Sequence, residues 1–489
     1  MSISDRSNRQ ALAWRGGLQM NQHEAWMFRV SQRSCMFFER WFPDAYAFAL
    51  AAVLIIAFCA IAIGVAPLNV ALSFGEGYWS VIPFTMQMSF IIIGGYVTAD
   101  APPVMRIINR IALIPRSARG AIAFIALISI LLALVHWGLS LVMSSLLVRA
   151  IARRNELVTD YRAAGAAACL GIGSVWALGL SSSAAQLQAN PASMPASLLA
   201  VSGVIPFTDT IFLWQSMLLA AIVTLAALTI SYYSAPDATH AQTANSLGVE
   251  LEEFDQPLPA RERPGEWLEY SPFLTITITG MGITWLLWQL QHDGFATVIA
   301  NLNNYNFLFL MTGMLLHWRP RYFVASVMRS IPSVAGILIQ YPLLGSMASM
   351  MTMAKNGEGH SIANFISNGF TAVASHETFA LLVSLYSAAL GLAIPSGGGK
   401  WLVEGPYVMQ AANELQYNLG WTLQIYNASE ALPNLINPFW MLPVLGILKL
   451  KARDLIGYTF VQFILLTPLV VLFLWLLGET LPYVPPEFH

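Results

Sequence analysis

The chain reads as long apolar runs separated by short polar turns. Continuous apolar stretches cover Tyr46–Ala66, Trp79–Ala99, Ala121–Val148, Ile211–Tyr233 and Leu455–Leu477. Shorter or interrupted ones lie at 163–180, 273–290, 302–316, 331–353, 379–394 and 435–448. A helix of about 18 or more apolar residues is long enough to cross a bilayer. These runs are continuous where a transmembrane β-barrel needs short alternating strands, so the barrel is set aside. The pattern predicts an all-α polytopic membrane protein with about 10–12 membrane segments, some of them broken or re-entrant, in two pseudo-repeat halves.

Two segments do not fit single straight helices. In Ile394-Pro395-Ser396-Gly397-Gly398-Gly399-Lys400-Trp401, a proline and three glycines interrupt the apolar pattern. Neither residue type continues a helix at low cost. Backbone broken at membrane depth leaves N–H and C=O groups that lipid cannot satisfy. Such a break is tolerated only inside protein or along a polar cavity. Glycine N–H groups opening the next half-helix suit an anion, and discontinuous helices hold substrate in secondary transporters. Ala121–Val148 poses a different problem. Arg106, Arg110, Arg116 and Arg119 precede it, and Arg149, Arg153, Arg154 and Arg162 follow it. Basic loops favour the cytoplasmic side, and one crossing would put one group outside. A straight helix of this length is also about 42 Å long, more than the hydrocarbon core. Either the segment turns near His136-Trp137-Gly138 and returns, or it is a tilted helix whose last turns project. The sequence leaves both open.

Polarity divides the chain. Residues 1–45 hold six arginines and no long apolar core, and read as a cytoplasmic N-terminal tail rather than a cleaved signal peptide. Residues 46–233 form a first membrane half. Residues 234–270 are polar and acidic, with Pro257, Pro259 and Pro264, and read as a solvated linker loop. Residues 271–480 form a second half, and 481–489 a C-terminal tail. The halves share a weak pattern at an offset of roughly 260 residues, as inverted or parallel repeats do. His136-Trp137-Gly138 answers to Ser396-Gly397-Gly398, Ser140 to Lys400, and Ser144 to Glu404. Gly171-Ile172-Gly173-Ser174 answers to Leu432-Pro433-Asn434.

Composition narrows the partners. The chain is 56% hydrophobic and 10% charged, with mean hydropathy +0.60, so the lipid bilayer is its main surrounding. A net charge of −2 leaves no basic footprint for nucleic acid. Cys35, Cys59 and Cys169 are too dispersed for a metal site, and no pattern calls for a cofactor. Lys400 is followed by Trp401, not by the Ser/Thr of a phosphate loop, and His376-Glu377 has Ala380 where a zinc protease needs its second histidine. These features argue against an enzyme. Self-association as a homo-oligomer stays open.

Nine short motifs then carry a family resemblance. They are Trp41-Phe42-Pro43-Asp44, Met86-Gln87-Met88, His136-Trp137-Gly138, Val148-Arg149-Ala150-Ile151-Ala152-Arg153-Arg154, and Gly203-Val204-Ile205-Pro206 with Asp209-Thr210. The second half adds Gly336-Ile337-Leu338-Ile339-Gln340, Pro395-Ser396-Gly397-Gly398-Gly399, Glu404-Gly405-Pro406, and Pro438-Phe439-Trp440 leading to Pro443. From Met27 to Leu477 the chain resembles the bacterial short-chain fatty acid transporter family, of the acetoacetate and butyrate uptake type. The resemblance implies a multi-pass carrier of small monocarboxylates in the bacterial inner membrane, with two repeats and re-entrant elements. Two positions depart from the family's usual pattern: Lys400 follows the three glycines where a neutral residue is common, and His136 stands where asparagine is common.

The residues suggest roles within that frame. Lys400 and Glu404 lie four apart, on one helical face, and intramembrane charges are costly and usually functional. Lys400 either meets a substrate carboxylate or pairs with Glu404, leaving the anion to glycine N–H groups. The candidate substrate site is Ser396, Gly397, Gly398, Gly399 and Lys400, faced by Trp137, Gly138 and Ser140, with Gln87 and Gln340 as further donors. His136 and Glu404 can titrate, which points to proton symport by alternating access. Asn434 with broken-helix carbonyls would serve sodium instead. A carrier for another organic anion, a dicarboxylate or an amino acid, is the alternative on the same architecture. A passive channel or an intramembrane enzyme is the more distant one.

Overall fold

The computed structural model describes Val30, Arg33 and residues 45–80, 82–189, 196–251, 261–362, 364–365, 372–393 and 397–486. Among the described residues the regular structure is helical, without strands. Helices α1 (Ala45–Ala62), α2 (Pro67–Ser80), α3 (Ile82–Ala99) and α4 (Pro102–Ile111) come first. Then follow α5 (Ala118–Val135), α6 (Trp137–Ala152), α7 (Tyr161–Ala168), α8 (Leu170–Ser174), a 3-10 turn at Trp176–Leu178, α9 (Ser183–Gln188), α10 (Ala196–Ser202) and α11 (Trp214–Ser234). After the linker come α12 (Glu266–Tyr270), α13 (Pro272–Ala300), α14 (Leu302–His317) and α15 (Pro320–Thr352). The chain ends with α16 (His376–Ala393), α17 (Gly397–Glu414), α18 (Leu419–Ala431), a 3-10 turn at Leu432–Leu435, α19 (Pro438–Leu448) and α20 (Ala452–Gly478).

Six helices among the described residues are long and apolar enough to cross a membrane: Pro67–Ala99, Ala118–Val135, Trp214–Ser234, Pro272–Gly294, Pro320–Met351 and Ala452–Gly478. Leu419–Leu435 and Pro438–Leu448, bent by 51°, make a seventh if counted as one broken span. Shorter apolar helices lie at Ala49–Ala62, Trp137–Ala152 and Phe379–Leu392. The predicted segments thus divide into straight spans and a group of short or broken ones, because glycine, proline and polar residues interrupt the latter. Phe58, Leu225, Met281, Met328 and Leu472 are exposed on their helices, as side chains facing lipid tails are.

The geometry of 121–148 is the turn and return. His136 is extended (φ −153°, ψ 107°) and separates α5 from α6. Ser140 Oγ donates to Ser129 O at 2.6 Å, across the break. Eleven residues of continuous helix would hold these two about 16 Å apart, so the chain has reversed. The second hairpin is built alike: Lys400 Nζ of α17 donates to Ser387 O of α16 at 2.7 Å.

The two halves interleave in space. α15 packs on α1, α2 and α3, and α14 packs on α3. These helices form one bundle. The hairpins and broken helices form the other: α16 packs on α18 and α20, and α11 on α5 and α20. Contacts of α3 with α6 and of α15 with α19 join the bundles. The α2–α15 crossing is close enough to require Gly77, where an added Cβ would lie 2.5 Å from Gly345 O.

The two short interruptions meet at the centre of the second bundle. Asn434 Nδ2 donates to Ile172 O at 3.1 Å, and an added Cβ on Gly173 would lie 2.3 Å from Leu435 Cδ2. Asparagine here satisfies backbone that the break leaves open.

The polar linker is anchored at a few points, while residues 237–240, Gln242, Asn245, Ser246, Gly248 and Glu250 are exposed. Ala235, Ala244 and Val249 are buried. Asp160 ties this stretch to α7: its Oδ1 accepts from the N–H groups of Arg162 and Ala163, and its Oδ2 accepts from Gln242 N–H at 2.9 Å. Asp160→Ala leaves these donors without a side-chain partner, and is expected to destabilise the fold by about 2 kcal/mol. A lowered thermal-unfolding midpoint in detergent checks this; an unchanged midpoint contradicts it.

Candidate substrate site

Both hairpin tips converge on one row of indoles. At the first tip, Trp137 opens α6 and meets Trp440 edge-on, with ring centroids 5.5 Å apart. Trp440, in the first turn of α19, lies 6.3 Å from Trp176. At the second tip, an added Cβ on Gly397 would lie 2.6 Å from the Trp176 ring. The row Trp137–Trp440–Trp176 therefore spans from one hairpin to the other. All three are buried, and the indole N–H groups of Trp176 and Trp440 have no hydrogen-bond partner. A cavity of about 30 Å³ adjoins the first tip, lined by His136, Trp137, Ser181, Ser183, Gln186 and Tyr305 among others. That is room for water and not for an acyl chain. Ser181 Oγ is buried and unpartnered, and an added Cβ on Gly398 would lie 3.0 Å from Ser183 Cβ. The stretch 176–183 thus sits between the two tips.

His136 serves its own helix. Nδ1 accepts from Leu139 N–H at 3.0 Å, the ring stacks on Tyr305 at 4.5 Å, and Phe309 meets it edge-on at 4.3 Å. A second proton on this ring would have to go on Nδ1 and remove the cap. The neutral capping histidine is the arrangement this geometry favours. Gly138 lies against α3, where an added Cβ would be 2.1 Å from Ile91 Cγ2. The Ser140 hydroxyl is committed to Ser129 O.

Lys400 lies in a buried ionic cluster. Its ammonium is 2.5 Å from Glu430 Oε2 and 3.4 Å from Glu404 Oε2. Ser387 contributes twice, accepting from Lys400 through its carbonyl and donating from Oγ to Glu404 Oε1. The ammonium also sits 4.6 Å from the centroid of the Tyr426 ring. Tyr426 OH in turn donates to Gly397 O at 2.5 Å. Lys400 and Glu404 therefore do share one face and pair, and Glu430 of α18 completes the cluster. Gly397–Gly399 form the opening turn of α17. Ser396 lies outside the described residues.

The remaining candidates are more distant from the tips. Gln87 Nε2 donates to Asn303 Oδ1 at 2.8 Å, joining α3 to α14. Gln340 is buried in α15 with its Oε1 unpartnered. Asn434 sits at the central crossing, and its Oδ1 has no partner. Among the described residues, no group of three or more His, Cys, Asp or Glu could hold a metal ion.

Glu430, Tyr426, Trp176 and Ser181 escaped the sequence reading. Helix α18 is LGWTLQIYNASEA, too polar to register as an apolar run. A signal did exist: Glu430 is an acidic residue three positions before Pro433, beside a predicted break.

Residues 26–477 match the family described as Short chain fatty acid transporter. Two bacterial proteins share the name "Putative short-chain fatty acid transporter". The one from Haemophilus influenzae is 29% identical over 92% of this chain and 99% of its own length. The one from Escherichia coli is 30% identical over 88% of this chain and 95% of its own. Among solved structures, the Alcanivorax borkumensis YdaH transporter aligns with 91% of this chain and 100% of its own, at TM-score 0.44 and 14% identity. By the extent of the family match and by the two bacterial sequence relatives, the chain belongs to the short-chain fatty acid transporter family and is a multi-pass membrane transporter, not an enzyme.

Proposed function

We propose that this protein carries short-chain monocarboxylates, such as butyrate and acetoacetate, across the bacterial inner membrane by proton-coupled symport. The observation that carries the reading is the indole row joining the two hairpin tips. The indole faces suit a short acyl chain. The unpartnered N–H groups of Trp176 and Trp440 and the Ser181 hydroxyl supply neutral donors for one carboxylate. Lys400 is already matched by two carboxylates, which favours a substrate with one carboxylate over one with two. The cavity beside the first tip is too small for an acyl chain, so entry of substrate requires one tip to move, as alternating access does.

Uptake of labelled butyrate into proteoliposomes, at zero sodium, with and without an inward proton gradient, tests this. Saturable uptake above protein-free liposomes, accelerated by the gradient, is expected. Uptake without saturation would sink the carrier reading, and indifference to the gradient would sink proton coupling. Trp176→Phe and Trp440→Phe each keep a ring and lose a donor. Each is expected to raise KM by about 5–10-fold, the worth of one hydrogen bond. Unchanged KM in both would remove the indoles from the site.

A further inference from the structure

We infer that Glu404 and Glu430, on either side of Lys400, share one exchangeable proton, and that this buried cluster is the seat of the coupling proton. The inference rests on the proton-symport reading above and adds Glu430 to it. The argument begins with charge. Lys400 and Glu404 are 0% exposed and Glu430 is 1% exposed. Two carboxylates face one ammonium, so full ionisation leaves one negative charge uncompensated away from water. Such a charge is far more costly than a proton left on one carboxylate. The hydrogen bonds agree. The ammonium donates to Ser387 O and lies 2.5 Å from Glu430 Oε2 and 3.4 Å from Glu404 Oε2 as ion pairs. Ser387 Oγ holds Glu404 Oε1. Neither oxygen of Glu430 has a hydrogen-bond partner, and Oε2 meets the ammonium as an ion pair. A carboxylate oxygen that is buried and unbonded is a place for a proton.

Among the described residues, no other ionic group pairs with the cluster. From α17 it is faced by Lys400, Glu404 and Tyr407, and from α16 by Tyr386, which hydrogen-bonds Tyr407 at 2.6 Å. Tyr426 belongs to the same helix as Glu430. His376 and Glu377 stand in the first turn of α16, and Glu414 at the far end of α17. On α20, Arg453 and Asp454 stand in the first turn and Glu479 beyond the last residue. The short pieces α8 and α9 and the turns 176–178 and 432–435 carry no ionisable residue.

The cluster is also placed to act on the hairpin. Ser387 and Lys400 clamp the two arms α16 and α17 together, and Glu430 holds α17 to α18 just before the Leu432–Leu435 turn. Tyr426, under the ammonium, donates to Gly397 O at the tip. Binding a proton turns one carboxylate into a carboxylic acid and makes the cluster neutral. Release of that proton to the other side restores the second negative charge, which repels the first and loosens α17 from α18.

Glu430→Gln and Glu404→Gln each leave one neutral Lys–Glu pair that needs no proton. The test measures initial rates of saturable butyrate uptake, with protein-free liposomes subtracted because undissociated butyric acid crosses lipid unaided. Wild type is expected to respond to an inward proton gradient. Both variants are expected to lose that response while still exchanging labelled for unlabelled butyrate without a gradient. Retention of the response in either variant overturns this inference alone. No response in wild type overturns the symport reading and this inference with it. A second measurement covers variants that fold poorly: the infrared spectrum of purified wild type should contain a buried protonated-carboxyl C=O band that each substitution removes. Its absence from wild type overturns the inference.

Discussion

Lys400→Met is expected to lower the stability of this transporter by about 3–5 kcal/mol, the cost of stripping one partner from a buried ionic group. The methionine keeps much of the side-chain volume. What it removes is the positive charge between Glu404 and Glu430, at 3.4 Å and 2.5 Å, and a donor to Ser387 O. Neither carboxylate can turn to water, since both are buried. The loss should therefore be recovered in large part by the triple variant Lys400→Met with Glu404→Gln and Glu430→Gln, where no ion remains. Thermal unfolding of purified protein in detergent reads both effects. A midpoint for Lys400→Met equal to that of wild type would mean the lysine does not balance these carboxylates. Failure of the triple variant to recover would assign the loss to packing.

Gly397→Val is expected to reduce butyrate uptake to the protein-free level without preventing membrane insertion. Even a single added carbon at this position would lie 2.6 Å from the Trp176 ring. The ring cannot retreat, because Trp176 is buried and stands beside Trp440. Overpacking of this kind costs about 1–3 kcal/mol, which a polytopic protein can survive. The strain falls on the contact between the second tip and the indole row, and it pushes apart the surfaces proposed to enclose the substrate. Gly280→Val in α13 is the control, since nothing lies within 4 Å of an added Cβ there. Normal uptake by Gly397→Val would separate this contact from the transport site.

The membrane class, the family and the positions of the breaks were legible in the chain. Continuous apolarity, a proline beside three glycines, and the short family motifs are all properties of neighbouring residues. The pairing of Lys400 with Glu404 was legible too, because four residues of helix place them on one face. Glu430 was not. It lies in a helix whose Gln, Asn and Ser residues hide it from hydropathy, and only packing brings it within 2.5 Å of Lys400. The indole row has the same character: Trp137, Trp176 and Trp440 come from three separate elements, and nothing local relates them.

By itself, then, the sequence determined a helical membrane transporter with interrupted membrane segments, because helix length, helix breaking and transfer into lipid are decided residue by residue. The tertiary structure alone decided that Ala121–Val148 turns back at His136, that the halves interleave, that Lys400 is held between two carboxylates, and that both tips close on one line of tryptophans. Those outcomes depend on which helices pack together, and on which buried charges and donors must then find partners away from water.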